Sequence, residues 1–320
     1  MHWIILGLAA IMDLLFGEPN KTFHPVVWIG KLIDAIQSHL KKMFAYAHIY
    51  LSHTKFHFIC QDKSKISGCI LVLIVVGSAL LGGYLVTLVH GFIGLLVSAY
   101  VLKSTFSITC LTDTATKICE HLEKDDLVSA KKELPALVGR DPEGLTREEM
   151  CSAVIESTAE NFVDGILSPI FYFVLFGLPG ALGYKAINTL DSMIGYRNQG
   201  DFGWASARLD DVANYIPARL SVLFITMASA VHGSPLSALR TSRRDHGQTA
   251  SPNSGWPMAA MAGALKISLK KPLYHTIGSE FALPEPQQIR DAIQITRISS
   301  MMLIVLSLLI LYYAKLPLVM

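Results

Sequence analysis

Acidic, amide and guanidinium side chains recur at helical spacing between residues 156 and 219. Glu156, Glu160 and Asp164 stand at i, i+4, i+8, which puts three carboxylates on one helix face. Asn188 and Asp191 stand at i, i+3, as do Arg208 and Asp211, while Asp210 and Asn214 stand at i, i+4. Carboxylates in such numbers hold hard cations or move protons. Guanidiniums grip phosphate or carboxylate oxygens through two parallel bonds. Amides both donate and accept. The bland alternative is a solvated helix face laced with salt bridges. Against it, an apolar, membrane-like stretch lies between the clusters, and a charge at the centre of a membrane helix costs roughly 2.5–3.5 kcal/mol. The pattern therefore points to a polar pocket at a membrane edge that binds cations, phosphates or both.

The composition says what must position these groups. The chain has 320 residues, 52% hydrophobic and only 16% charged, with a mean hydropathy of +0.43. Soluble domains are about a quarter charged. The expectation is an all-α, polytopic integral membrane protein built as one domain over residues 1–320. A net charge of +2, with no long basic run and no zinc-finger spacing, argues against nucleic acid as a partner. Five scattered cysteines, none in a CxxC pair, fit a reduced compartment better than a disulfide framework. The apolar start lacks a basic leader and a small-residue cleavage site, so it reads as a retained segment.

Along the chain, residues 3–16 are short for a span of about 20 residues and carry Asp13, which predicts a tilted span or an interfacial helix. Residues 17–26, with Gly17-Glu18-Pro19 and His24-Pro25, are a turn-rich link. Residues 69–102 are too long for one span. Gly82-Gly83 is expected to divide them into a hairpin, with Lys103 ending the second helix at the cytoplasmic edge. Residues 104–155 read as a soluble helical insert, in which Thr146 and Glu149 predict a capping box. Residues 162–184 are punctuated by Gly165, Pro169, Gly177, Pro179 and Gly180, which predicts a kinked or re-entrant element near Pro169 or Gly177. Residues 215–231 and 298–314 are further spans. The loops near 17–65, 103–161 and 233–297 hold about 22 of the 27 lysines and arginines, so they are expected on the cytoplasmic side of the cell (inner) membrane. Strict alternation then strands residues 185–214 on the far side, away from Glu160. A re-entrant segment 162–184 removes that conflict.

Several long motifs stand in order: DLLFGEPNKTFHPVVWIGKLI, ESTAENFVDGILSPIFY, AINTLDSMIGYRN, FGWASARLDDVANYIPARL and SPNSGWPMAAMAGAL. On these the chain resembles the adenosylcobinamide-phosphate synthase family, membrane proteins of late cobalamin biosynthesis. The match runs through nearly the whole chain, with a variable region near residues 40–65. The resemblance implies ATP-dependent amidation of the f propionate carboxylate of adenosylcobyric acid with aminopropanol, generally as its phosphate. It implies magnesium and ATP as the activating pair. The implied partners are the corrinoid and aminopropanol phosphate, the lipid bilayer, and other late cobalamin-pathway membrane enzymes.

With that chemistry in view, Glu160, Asp191, Arg208 and Asp211 are the expected catalytic residues, and Asp164, Asp191 and Asp211 the expected metal ligands. Asn161, Asn188, Arg197, Asn253, Trp256 and His24 are expected to bind substrate or phosphate. Lys185 and Arg219 are further cations, and Trp204 a further flat face. The chain has no GxxxxGK[ST] loop, G-x-S-x-G elbow or HExxH pair, which excludes those sites. An acidic residue is common in the family after the last Trp-Pro; here Met258 stands there, which removes a metal ligand from that position. A transporter with broken helices around a midplane site is the competing class, although no inverted repeat is visible.

Overall fold

The computed structural model describes residues 1–51, 59–139, 141–195 and 201–313. The chain opens with α1 (His2–Phe16), α2 (Pro25–Leu51), α3 (Ile59–Thr87) and α4 (Gly91–Lys103). Next come α5 (Ile108–Glu123), α6 (Leu127–Glu133) and α7 (Arg147–Phe162). A π-helical turn, Val163–Leu167, links α7 to α8 (Ser168–Ile194). Then follow α9 (Trp204–Ala213), α10 (Tyr215–Ala228), α11 (Pro235–Asp245) and α12 (Gly255–Leu265). A small antiparallel hairpin, β1 (Leu269–Lys271) with β2 (His275–Ile277), precedes α13 (Pro286–Tyr313).

Five helical runs are long and apolar enough to cross a membrane: Ser64–Thr87, Gly91–Glu123, Arg147–Ile194, Tyr215–His232 and Pro286–Tyr313. Leu73 on α3, Phe92 on α4, Leu223 on α10 and Met301 on α13 all face outward and are exposed. Such an apolar girdle is unfavourable in water and suited to lipid. The inside is different: residues 150–159 of α7 are all buried. The molecule is thus an all-α polytopic membrane protein, in which α5 and α13 pack on α7, α3 and α13 pack on α8, and α10 packs on the π turn between them.

The run Arg147–Ile194 is not one rod. The chain reverses at Gly177, whose φ of 65° and ψ of −155° belong to a region that residues with a Cβ avoid. Pro179 follows and cannot donate the backbone bond that would continue the first arm. As a result Tyr172 and Tyr184 stack with ring centroids 5.3 Å apart, whereas twelve residues of straight helix would separate them by about 18 Å. The break expected near Pro169 or Gly177 is therefore at Gly177, and residues 185–194 return to the end of the molecule from which α7 delivers Glu160.

One expectation needs correction. Gly82-Gly83 does not divide residues 69–102; α3 runs through both glycines to Thr87 and the break falls at residues 88–90. Gly83 serves close packing instead, since a Cβ there would meet Pro179 Cα at 2.6 Å. Lys103 ends α4 as expected, and the fold buries it. It is 2% exposed, with its ammonium 3.2 Å from Asp13 and 3.0 Å from Glu18. Asp13 in turn accepts from the backbone amides of Ile108 and Thr109, capping α5 from another helix. The buried lysine is held because two carboxylates from the α1 end of the fold compensate it.

The capping box is present as expected: Thr146 accepts from the amide of Glu149, and Glu149 accepts from that of Thr146. It starts α7 in the register that carries Glu156 and Glu160. The β-hairpin lies over the same face. Lys270 donates its amide to Ser152 Oγ at 2.7 Å, and His275 Nε2 is 3.5 Å from Glu156 Oε1.

Candidate functional site

Two adjoining cavities meet at the carboxylates. The first, about 440 Å³, is lined by Glu160, Asp164, Asp191, Asp210 and Asp211, with Arg208, Trp204, Asn214 and Asn253 around them. The second, about 480 Å³, shares Glu160, Asp164 and Asp191 and adds Glu156, Asn161, Asn188 and Lys271. Four elements supply the acids: the last turn of α7, the π turn, the returning arm of α8, and α9. The π turn inserts extra backbone between Glu160 and α8. Its Gly165 carbonyl accepts from the Ser107 amide at 3.0 Å, so the widened turn is tied to the start of α5.

Asn214 organises the α9 side. It is 2% exposed. Its Oδ1 accepts from Ser168 Oγ at 2.7 Å and from Tyr184 OH at 2.9 Å, and its Nδ2 donates to Asp210 Oδ2 at 3.0 Å. Asp210 Oδ1 is buried without a partner among the described residues. Burial, and then the neighbouring charge of Asp191, push Asp210 up to about 7. Burial also raises Asp211, although Arg208, 3.4 Å away, opposes this. A carboxyl group poised near neutrality inside a cavity is the form a general acid or base takes. The i, i+4 spacing of Asp210 to Asn214 is the sequence signal for it, although the expected catalytic set above leaves Asp210 out.

The fold thus brings together Glu160, Asp164, Asp191, Arg208 and Asp211, with Asn161 and Asn188 on the adjoining wall. Arg197 lies outside the described residues. Asn253 reaches the cavity, but its amide is engaged: Nδ2 donates to Asp211 O at 2.7 Å, and Oδ1 accepts from Arg219 at 3.2 Å. It fixes the loop before α12 to α9. Trp256 is partly buried and packs against protein groups. Its ring stacks on His246 at 3.8 Å, and the Arg219 guanidinium lies 5.1 Å from its centroid. Trp204, 49% exposed on the cavity wall, is the aromatic face left open. His24 stands apart from the acids. Its Nδ1 accepts from the Val26 amide and its Nε2 meets Glu18 Oε2 at 2.8 Å, so both ring nitrogens are taken. It faces a third cavity of about 310 Å³, lined also by Glu18, Asn161 and Lys185. Burial would raise Glu18, but the His24 and Lys103 contacts bring it down to about 2.

Among the described residues no three His, Cys, Asp or Glu side chains converge into a closed metal cage. The donor set still suits magnesium, which is commonly held by one or two carboxylates together with water and substrate phosphates. The unpartnered Asp210 oxygen also calls for a proton or a cation nearby.

A model of the CobD/Cbib protein family matches residues 6–302. The chain belongs to that family. Its relatives include a probable cobalamin biosynthesis protein CobD of Methanothrix thermoacetophila, 40% identical over 311 residues that cover 91% of each chain. The cobalamin biosynthesis protein CobD of Dehalococcoides mccartyi is 35% identical over 319 residues, 98% of each chain. That of Klebsiella pneumoniae is 38% identical over 274 residues, 83% of this chain and 81% of its own. No solved structure matches. The match of this family member spans every element that builds the acidic cavities, from α7 to α12.

Proposed function

We propose that this protein performs the amidation that yields adenosylcobinamide phosphate in cobalamin biosynthesis, using ATP and magnesium. Family membership supplies the pathway. The observation that carries the chemistry is the carboxylate-walled cavity with Asp210 poised near neutrality, adjoining a second chamber that shares Glu160, Asp164 and Asp191 and adds Lys271.

Joining a carboxylate to an amine at neutral pH is uphill, so the carboxylate must first be activated. In this reading a corrinoid carboxylate oxygen takes the γ-phosphoryl group of ATP, and ADP leaves. The amine nitrogen then bonds to the acyl carbon, phosphate departs, and the amine loses a proton. Asp210, at about 7, is the group suited to accept that proton. Arg208 at the cavity wall would stabilise the charge that develops on the transferred phosphoryl group. Five carboxylates and a triphosphate repel one another strongly in a partly buried space. Magnesium, when bound, supplies the countercharge, and Asp164, Asp191 and Asp211 are the residues that would hold it. Trp204 offers its open face to the macrocycle.

The large loops near residues 17–65, 103–161 and 233–297 would face the cytoplasm of the cell (inner) membrane, as their lysine and arginine content favours. Other late-pathway membrane enzymes would be its neighbours there. The reversal at Gly177 also suits a transporter with a broken helix, and one experiment separates the two readings. Purified protein is incubated with adenosylcobyric acid, aminopropanol phosphate, ATP and magnesium, and the products are weighed by mass spectrometry. The amidation reading expects the mass of acid plus amine less one water, with ADP and phosphate released. Unchanged masses, with each amine tried free and phosphorylated, would leave transport as the better account.

A further inference from the structure

The third cavity carries an inference of its own, resting on the amidation reading. It is small, about 310 Å³, and lies between the start of α5, the π turn and the returning arm of α8. Its carboxylate, Glu18, is already bound by Lys103 at 3.0 Å and His24 at 2.8 Å. Its cation is not. Among the described residues Lys185 Nζ makes one hydrogen bond, to Asn188 Oδ1 at 3.3 Å, and no ion pair. Asp164, Glu18 and Asp210 act on it only at longer range. An ammonium carries three donors, so two are left for something in the cavity. The Thr114 hydroxyl, which also lines the cavity, has no partner among the described residues either.

Asn161 lines both this cavity and the acidic one. Its Nδ2 donates to the Ser157 carbonyl at 2.9 Å and to Ser157 Oγ at 3.1 Å, which leaves Oδ1 as an unfilled acceptor. The cavity therefore holds an ammonium with donors to spare and an acceptor that lacks an N–H donor. A volume of about 310 Å³ is enough for a small molecule.

We propose that this chamber binds the small substrate, a phosphate ester of an amino alcohol. Its phosphate sits on Lys185 and Thr114, and its amine on Asn161 Oδ1. Asn161 belongs to the wall shared with the carboxylates, so the amine is held at the boundary of the cavity where the acyl group is activated. Lys185 and Thr114 then select the phosphorylated amine over the free one.

The test compares Lys185→Gln, Lys185→Arg and Thr114→Val with the wild type, using aminopropanol phosphate and free aminopropanol as alternative substrates. Lys185→Gln should raise KM for aminopropanol phosphate at least tenfold and leave KM for ATP and for free aminopropanol within about twofold. Lys185→Arg should recover part of the loss. Calorimetry without nucleotide should show aminopropanol phosphate binding to the wild type, weakened by inorganic phosphate and lost in Lys185→Gln. Equal losses with both amines, or a rise in KM for ATP instead, would overturn the assignment. If Lys185→Gln does not fold, Thr114→Val decides by the same comparison. A wild type that makes no amide with any amine refutes the amidation reading. The calorimetric comparison still decides the chamber: binding that depends on Lys185 supports it, and its absence overturns it.

Discussion

Replacing Asp210 with asparagine should make the protein more stable and less active, with both effects set by pH. The change keeps the volume and an oxygen that can accept from Asn214 Nδ2, now 3.0 Å from Asp210 Oδ2. It removes a carboxyl group that burial and the charge of Asp191 push from 3.8 up to about 7. Below the unfolded value both states hold the proton and nothing is at stake. Between 3.8 and about 7 only the folded state holds it, so wild-type stability falls as pH rises. Above about 7 the full cost is present. At 1.36 kcal/mol per pH unit it amounts to about 4 kcal/mol, an upper bound because water screens a partly exposed group. Between about pH 5.5 and pH 8 the variant should therefore gain up to about 2 kcal/mol on the wild type. Thermal unfolding in detergent at the two pH values would show the gap in melting temperature widening by several degrees. In the mass assay, where magnesium offsets the charge of Asp191, wild-type turnover should rise with pH through a midpoint below about 7. The variant should stay flat and at least about a hundredfold lower, as loss of a general base predicts. A gap in melting temperature that does not change with pH, or a variant with the wild-type pH profile, would refute the placement of a proton on Asp210.

Asp191→Asn and Asp211→Asn should reach normal membrane levels and each lose about a hundredfold to a thousandfold in product formation. Asp125→Asn, at an exposed left-handed residue where asparagine is well tolerated, should do little. Near-normal turnover of both cavity variants across a magnesium titration would remove these residues from the site. Lys103→Met should lower stability by about 3–5 kcal/mol, because Asp13 and Glu18 would lose their buried countercharge. A variant that melts with the wild type would show that the pair is solvated. Cysteines introduced at Lys124 and Lys271 should resist labelling from outside intact cells, and efficient labelling there would reverse the proposed orientation.

What could be read from the chain alone was whatever depends on local spacing and composition. Apolar runs of membrane length, the capping box at Thr146 and Glu149, and the i, i+4 ladder of Glu156, Glu160 and Asp164 all follow from helix geometry within one segment. The punctuation by Gly177 and Pro179 likewise announced a break, since glycine admits backbone angles that other residues avoid and proline lacks the N–H that a continuous helix needs. The family motifs pointed to the pathway for a related reason: they are contiguous stretches. Tertiary structure decided where those segments meet. Only the reversal at Gly177 brings Asp191 back beside Asp164, and only the packing of α9 on α8 buries Asp210 beside Asp191 and raises it to about 7. The burial of Lys103 was equally hidden, because its partners Asp13 and Glu18 lie 90 and 85 positions away in sequence. The ring nitrogens of His24 are engaged in the fold by Glu18 and Val26, and the Trp256 ring packs against His246 and Arg219. A side chain's type states which bonds it can form. Whether those bonds are already made depends on neighbours that arrive from distant parts of the chain, and so does the local dielectric that sets a pKa.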